Sequence, residues 1–242
     1  MFVPAVAESL NESFADSPCA LSEAEMQAEW RDELPSGEAI LEMVLARRAR
    51  SRQLGIDARL LARRACEYEL FRSIETHVVL PRVREGFGSV EEFVGYANSV
   101  TNRRKSRGGK SLELQARKIF DEETLAYSWT KATEDKRTPD FVFPSIEHYH
   151  RPSWPAERLR MLAAKTTCKD RWRQVLNEAA RIPKKHLLTL QEGVSVPQFR
   201  EMKEEGILLV VPSGLHQKYP EVLRDELVSL ENFIAEANGL IP

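Results

Sequence analysis

The stretch whose reading decides the fold opens as Pro139-Asp140-Phe141-Val142-Phe143-Pro144. It continues as Leu159-Arg160-Met161-Leu162-Ala163-Ala164-Lys165-Thr166-Thr167-Cys168-Lys169-Asp170-Arg171-Trp172-Arg173-Gln174-Val175-Leu176-Asn177-Glu178. Short apolar runs bounded by proline and polar residues have the form of buried strands. Strands are therefore predicted at Phe141–Phe143 and Leu159–Thr166, with a helix from Asp170 to Arg181. Asp140 at the start of one strand and Lys165 near the end of the next would converge. Phosphodiester hydrolysis needs a cation that lowers the pKa of an attacking water, and carboxylates that hold the cation. Oxygen ligands suit Mg2+. Lys165 would orient or deprotonate the water and steady the charge on phosphorus.

In the common nuclease pattern Pro-Asp…(Asp/Glu)-x-Lys, a second acid stands two residues before the lysine. Here that position is Ala163. Arg171, Gln174, Val175 and Glu178 fall at i, i+3, i+4 and i+7, one face of the predicted helix, so Glu178 can supply the missing carboxylate. Glu113 is the further acid for a second cation or for support of the first. His148 and His150, between Pro144 and Pro152, read as loop packing. Lys169, Asp170, Arg171 and Arg173 crowd the first turn of the helix, where guanidinium groups suit guanine and an aspartate can accept from cytosine. The competing reading of that set is a solvated charged turn. Trp172 suits core or contact equally.

Composition bounds the rest. The chain has 242 residues, 42% of them hydrophobic, with a formal net charge of -2. That is enough for a core and too little positive charge for a histone-like polycation. The charge is uneven: residues 1–43 carry ten acids and one base, whereas Val100–Lys118 carries seven bases and one acid. A polyanion would meet the second segment, where Arg103, Arg104, Lys105, Arg107 and Lys110 read as a basic loop clamping phosphates. Cys19, Cys66 and Cys168 show no metal or disulfide spacing, so free thiols in a reducing cytoplasm are expected. No run is long enough to cross a bilayer, and Met1–Leu10 lacks the pattern of an export signal.

Along the chain, residues 1–20 read as a poorly ordered arm, 21–100 as a helical portion packed on the core, and 101–242 as a nuclease core, the whole one cooperative unit. Capping boxes are predicted at Ser22/Glu25, whose helix would stop at Pro35, and at Ser89/Glu92. Ser36 and Asp57 are further caps; the Ser36 helix would run toward Gln53 and the Asp57 helix would end at Pro81. Phe93, Tyr96 and Val100 give an inner face. Beyond a helix starting at Lys110, strands are predicted at His186–Leu190 and Ile207–Val211. Helices are predicted at Pro197–Glu205, capped by Ser195 and stopped by Gly206, and at Pro220–Ala237, ended by Gly239. This alternation indicates a three-layer α/β core with a central sheet flanked by helices.

The residues also carry a family resemblance. Lys165-Thr-Thr-Cys-Lys-Asp-Arg-Trp-Arg-Gln174, Asn177-Glu-Ala179 and Pro139-Asp-Phe-Val-Phe-Pro-Ser145 resemble the catalytic domain of EcoRII-type restriction endonucleases. So do Gly86-Phe-Gly-Ser-Val-Glu-Glu-Phe93, Ala97-Asn-Ser-Val-Thr-Asn-Arg-Arg-Lys-Ser-Arg107, Gly109-Lys-Ser-Leu-Glu-Leu114, Thr189-Leu-Gln-Glu-Gly-Val-Ser195, Leu209-Val-Val-Pro-Ser213 and Lys218-Tyr-Pro-Glu221. The resemblance spans residues 60 to 240. It implies a restriction-endonuclease-like PD-(D/E)XK fold with a central mixed sheet and a type II enzyme dependent on Mg2+. It puts Asp140, Lys165 and Glu178 at the catalytic positions, with Tyr149, Lys169 and Glu113 beside them. It further implies cleavage of double-stranded DNA at a CC(A/T)GG-like site, 5' to the first cytosine, leaving 5'-phosphate ends. A homodimer would do this, with the central pair flipped from the stack and a companion cytosine methyltransferase in the host. Because few residues precede the matched part, a nuclease acting on a single site is expected, and the acidic arm could shield the basic cleft. The competing functions are a DNA reader that has lost catalysis and a structure-specific repair nuclease.

Overall fold

The computed structural model describes residues 19–31, 34–134, 137–168 and 171–241, so the expected arm lies outside the described residues up to position 18. The chain divides into two compact units. One holds the described residues before Gly55 together with Leu61–Gln115; the other holds Gly55–Leu60 and the chain from Ala116 onward.

In the first unit, Cys19, Trp30, Ile40, Val44, Cys66, Leu70 and Ile74 form a buried cluster. Ser22 and Glu25 do make the predicted capping box, Ser22 N–H donating to Glu25 Oε2 at 2.9 Å. The box opens no long helix, however: only the 3-10 turns Glu23–Glu25 and Ala28–Arg31 follow. The backbone there is tied elsewhere, since Leu21 N–H donates to Ser73 Oγ at 2.9 Å and Cys19 is disulfide-bonded to Cys66. That disulfide overturns the expectation of three free thiols. A partner 47 residues away leaves no spacing signal, and Cys168 alone is free and buried. Ser36 caps the helix Gly37–Arg47 by accepting from Ala39 N–H at 3.1 Å, and the 3-10 turn Ala49–Gln53 completes the segment predicted as one helix.

Two predicted breaks do not occur. The helix Ile56–Glu85 passes through Pro81, which costs one backbone bond within the last turns. The helix Val90–Glu122 runs straight through the Asn102–Gly109 segment expected as a loop. Gly108 and Gly109 weaken a helix by about 1 kcal/mol each relative to alanine, and side-chain ties offset that cost. Arg104 forks onto Glu75 at 2.7–2.9 Å, while Arg107 donates to Pro35 C=O and lies 5.1 Å from the Phe71 ring centroid. Ser89 caps this helix through Glu92 N–H at 3.1 Å, but Glu92 turns back to Gly88 N–H at 2.7 Å rather than to Ser89. Phe93, predicted inward, is 51% exposed, beside exposed Val90 and Val94.

The second unit is built on a five-stranded sheet in the order β1 (Ser128–Trp129), β2 (Phe141–Phe143), β3 (Arg160–Ala164), β4 (Lys185–Leu188), β5 (Ile207–Val210). β1, β2 and β3 pair antiparallel, whereas β3, β4 and β5 pair parallel. This is the mixed α/β sheet expected, and the parallel pairs require crossovers, the second of which carries the helix Val196–Glu204. Ser195 caps that helix, and Gly206 at φ 81° ends it where an added Cβ would meet Pro183 C=O at 2.9 Å. Phe120 packs edge-on against Phe141 and Phe143, and Phe233 against Phe143, with centroids 5.0–5.5 Å apart, and so they bury β2.

The helix predicted over Pro220–Ala237 is two, Glu221–Arg224 and Leu230–Asn238. Val228 is drawn out between them to bridge β5, with Val211 N–H donating to its carbonyl at 2.8 Å and its own N–H reaching Leu209 C=O at 3.1 Å. Ser229 then caps the second helix. Asp57, read as a cap for its own helix, lies inside it and accepts from Leu230 N–H at 2.9 Å instead.

Candidate active site

β2 and β3 place the predicted pair. Phe141 faces Leu162 across the antiparallel ladder, so Asp140 reaches the end of β3. There its Oδ2 accepts from Ala164 N–H at 2.7 Å and from Lys165 Nζ at 2.8 Å. The backbone of Lys165 is fixed in turn by its N–H on Leu188 C=O at 2.9 Å. Ala163, at the position of the missing acid, is fully buried, and β3 offers no second carboxylate.

Glu178 supplies one, by a route other than the predicted helix face. The helix covers only Trp172–Val175. Glu178 N–H bonds to Val175 C=O at 3.0 Å, a 3-10 closure, and the chain then turns back toward β4. Ala179 takes a left-handed conformation at φ 48°, which costs a residue bearing a side chain about 1–2 kcal/mol. The turn matters because it aims Glu178 inward. Glu178 Oε2 is buried without a hydrogen-bond partner. Burial pushes its carboxyl up to about 7, with Asp140 adding to the rise while Lys165 and Lys185 oppose it. Asp140, Lys165 and Glu178 are thus gathered into one electrostatic neighbourhood. Asp140 and Glu178 offer hard oxygen donors, the set a Mg2+ ion takes when it keeps most of its water. Among the described residues no group of three or more acidic, histidine or cysteine side chains forms a fuller cage.

The remaining predicted residues are placed as follows. Tyr149 is buried; its hydroxyl donates to Glu134 Oε1 and accepts from Arg181 N–H at 3.2 Å. Glu113 belongs to the helical unit, where its buried carboxylate pairs with Lys110 at 3.0 Å. Arg103, Arg104, Lys105 and Arg107 lie on the helix Val90–Glu122, Arg107 half-buried and Arg104 held by Glu75. The side chain of Lys105 and both Lys169 and Asp170 lie outside the described residues. Arg171 is exposed just before the helix Trp172–Val175, and Arg173 stacks 4.6 Å from the Trp172 ring centroid while pairing with Glu201 at 2.6 Å. Trp172 itself is core. His148 and His150 lie on the short helix Ile146–His150 rather than in the expected loop; His148 packs against Trp154, and exposed His150 bonds Ala132 C=O at 3.1 Å.

Three residues around Glu178 escaped the sequence reading. Glu134 Oε2 accepts from Ala180 N–H at 3.3 Å. Arg181 donates to the carbonyls of Tyr149, Arg151 at 2.8 Å and Trp154. Lys185 is buried, with Nζ on Ile182 C=O at 2.7 Å; burial holds its ammonium below the ordinary lysine value against the pull of Glu134 and Glu178. Lys184-Lys185-His186 reads as a polar run, and only the alternation of a strand would have turned Lys185 inward.

The family model described as EcoRII C terminal matches residues 71–234. The type II restriction enzyme EcoRII of Escherichia coli is 54% identical over 213 residues, which cover 88% of this chain and 52% of that protein. The chain therefore spans about half the length of the curated relative it matches. Among solved structures, the restriction endonuclease PspGI with substrate DNA superposes with a TM-score of 0.71 at 15% identity, over 91% of this chain and 98% of that one. Metal-depleted Ecl18kI with uncleaved DNA gives 0.66 at 18% identity, over 88% and 81%. At those identities the likeness is one of fold, and the fold is the restriction-endonuclease-like α/β sheet.

Proposed function

Because the chain belongs to the EcoRII C-terminal family, we propose that it is a type II site-specific endonuclease hydrolysing double-stranded DNA. The observation that carries the reading is the junction of the Asp140–Lys165 pair with the buried, unpartnered oxygen of Glu178. A carboxylate kept dry and without a donor is costly unless a cation completes it.

Asp140 and Glu178 would hold Mg2+, which when bound supplies a polarised phosphoryl oxygen and an acidified water. Everything else is done by the chain. Ala164 N–H and Lys165 fix the rotamer of Asp140, and Lys165 brings its ammonium to the same place, where it orients the attacking water and offsets charge on the phosphate. Burial holds the Glu178 carboxyl near 7, so cation binding there would be coupled to release of its proton.

The target is a CC(A/T)GG-like site cut 5' to the first cytosine, as the resemblance of Lys165–Gln174 to EcoRII-type enzymes implies. Lys169, Asp170 and Arg171 read the paired C·G bases, Arg173 stands beside them, and Arg103, Arg104, Lys105, Arg107 and Lys110 meet phosphates. Tyr149 stands next to the centre. The working form is a homodimer, each copy reading one half of the palindrome around a flipped central pair, in the cytoplasm beside a methyltransferase that protects host DNA.

Digestion of a sequenced plasmid with Mg2+, beside Asp140→Ala and Lys165→Ala, tests the reading. Discrete ends at CC(A/T)GG that vanish in both variants support it. Binding to that duplex without cleavage by the unaltered chain overturns it in favour of a silent reader.

A further inference from the structure

The backbone on either side of Glu178 is held to a degree its own carboxylate is not. Arg137 donates to Asn177 C=O on one side of it. On the other, Glu134 accepts from Ala180 N–H at 3.3 Å, the Tyr149 hydroxyl accepts from Arg181 N–H at 3.2 Å, and Lys185 donates to Ile182 C=O at 2.7 Å. The clasp is reciprocal: Tyr149 grips the backbone of Arg181, and the Arg181 guanidinium grips carbonyls of Tyr149, Arg151 and Trp154. Glu134 closes it by accepting from the Tyr149 hydroxyl on one oxygen and from Ala180 N–H on the other. Between these anchors sits Ala179 at φ 48°, a conformation that persists only where its surroundings impose it.

We propose that Glu134, with Tyr149 and Arg181, is a positioning device for Glu178: it sets the turn that aims the Glu178 carboxylate and thereby the grip on the divalent cation, without touching DNA. The inference rests on the reading of Glu178 as a cation ligand. Glu134 itself is exposed, so replacing it leaves the core untouched. Tyr149 acts here through Glu134 and Arg181, both capacities of its hydroxyl being taken.

The test compares the full chain with Glu134→Ala, Glu134→Gln, Tyr149→Phe and Glu178→Ala. Mn2+ uptake by the protein alone is read by electron paramagnetic resonance of the free ion. Affinity for a CC(A/T)GG duplex in EDTA is read by fluorescence anisotropy. Loss of ligand-orienting partners typically weakens metal binding about tenfold or more, and that is the change expected for Glu134→Ala and Tyr149→Phe, with duplex affinity held in both and melting temperature held in Glu134→Ala. Glu134→Gln loses the same charge but keeps an acceptor for Ala180 N–H, and should recover most of the loss. Unchanged Mn2+ uptake in Glu134→Ala, no recovery in Glu134→Gln, or a parallel fall in duplex affinity and melting temperature would each overturn the proposal. Glu178→Ala separates the levels. If it leaves Mn2+ uptake intact, the metal site itself is misassigned; if it abolishes uptake while Glu134→Ala does not, only the positioning role is wrong.

Discussion

Glu178→Gln is the substitution whose effect can be worked from the structure most directly. In the folded protein burial raises the carboxyl from 4.5 to about 7. Below the lower value folded and unfolded chains both hold the proton, so the two proteins are equally stable on this account. Between the two values the unfolded chain has released its proton and the folded one has not, so stability falls as pH rises, by up to 1.36 kcal/mol per pH unit. Above about 7 the full penalty is present, about 3 kcal/mol. Glutamine fills the same space and does not titrate. Without metal, Glu178→Gln should therefore match the unaltered protein near pH 4 and exceed it at pH 8 by up to about 3 kcal/mol, or roughly 6–10 °C in melting temperature for a chain of this size. Mg2+ should then narrow the difference, and reverse the order only above about two hundred times the dissociation constant. The unaltered protein gains stability by mass action when the ion completes Glu178, about 1.4 kcal/mol at ten times the dissociation constant, and the variant does not. Thermal melts from pH 4 to 8, with EDTA or Mg2+, read both effects. A difference that does not change with pH, or a variant less stable at pH 8 in EDTA, would refute the account of Glu178 as a buried, unsatisfied acid.

Other expectations follow from neighbouring groups. His186 lies buried 4.9 Å from the Phe233 ring with its pKa lowered to about 4, so the folded protein resists its protonation. Stability on its account is full above 6.5 and declines as pH falls toward 4, by about 3 kcal/mol in all; His186→Leu should flatten that acid limb in denaturant titrations, and an unaltered limb would count against it. Lys165→Met should lower single-turnover cleavage by about 10²–10³ while duplex affinity in EDTA stays within a small factor; a matching loss of binding would show the lysine to be a DNA contact instead. Reducing the Cys19–Cys66 bond, which closes a loop of 47 residues, should destabilise the helical unit by about 4 kcal/mol on the chain-entropy account; melting with and without a phosphine reductant tests it, and coincident curves would oppose it.

What the sequence disclosed was what local chemistry writes locally. The apolar runs at β2 to β5 announced strands because nothing but a buried sheet suits them, and Asp140 and Lys165 could be paired from the strand ends alone. Glu178 was read as the available carboxylate from a helical spacing that the chain abandons after Val175. The 3-10 closure and the left-handed Ala179 sit among bonds from Glu134, Arg137, Tyr149 and Lys185, three of which span 32 to 46 residues and leave no periodic trace. The same reason hides the uninterrupted helix through Gly108 and Gly109: local propensity argues for a break, and the ties to Glu75, Pro35 and Phe71 outweigh it. Two-residue β1 is too short to show any period.

Where the acid stands two residues before the lysine, one strand sets both and the centre is a rigid block. Here twelve residues separate Lys165 from Glu178, and the segment proposed to read the bases lies between them. The proposed catalytic residues Lys165 and Glu178 thus flank the segment proposed to read the bases. On that proposal a duplex that seats the segment wrongly would displace one flank against the other, placing recognition and hydrolysis in mechanical series. Errors should then appear as slow cutting of sites that still bind, a discrimination exercised at the bond-breaking step as well as at capture.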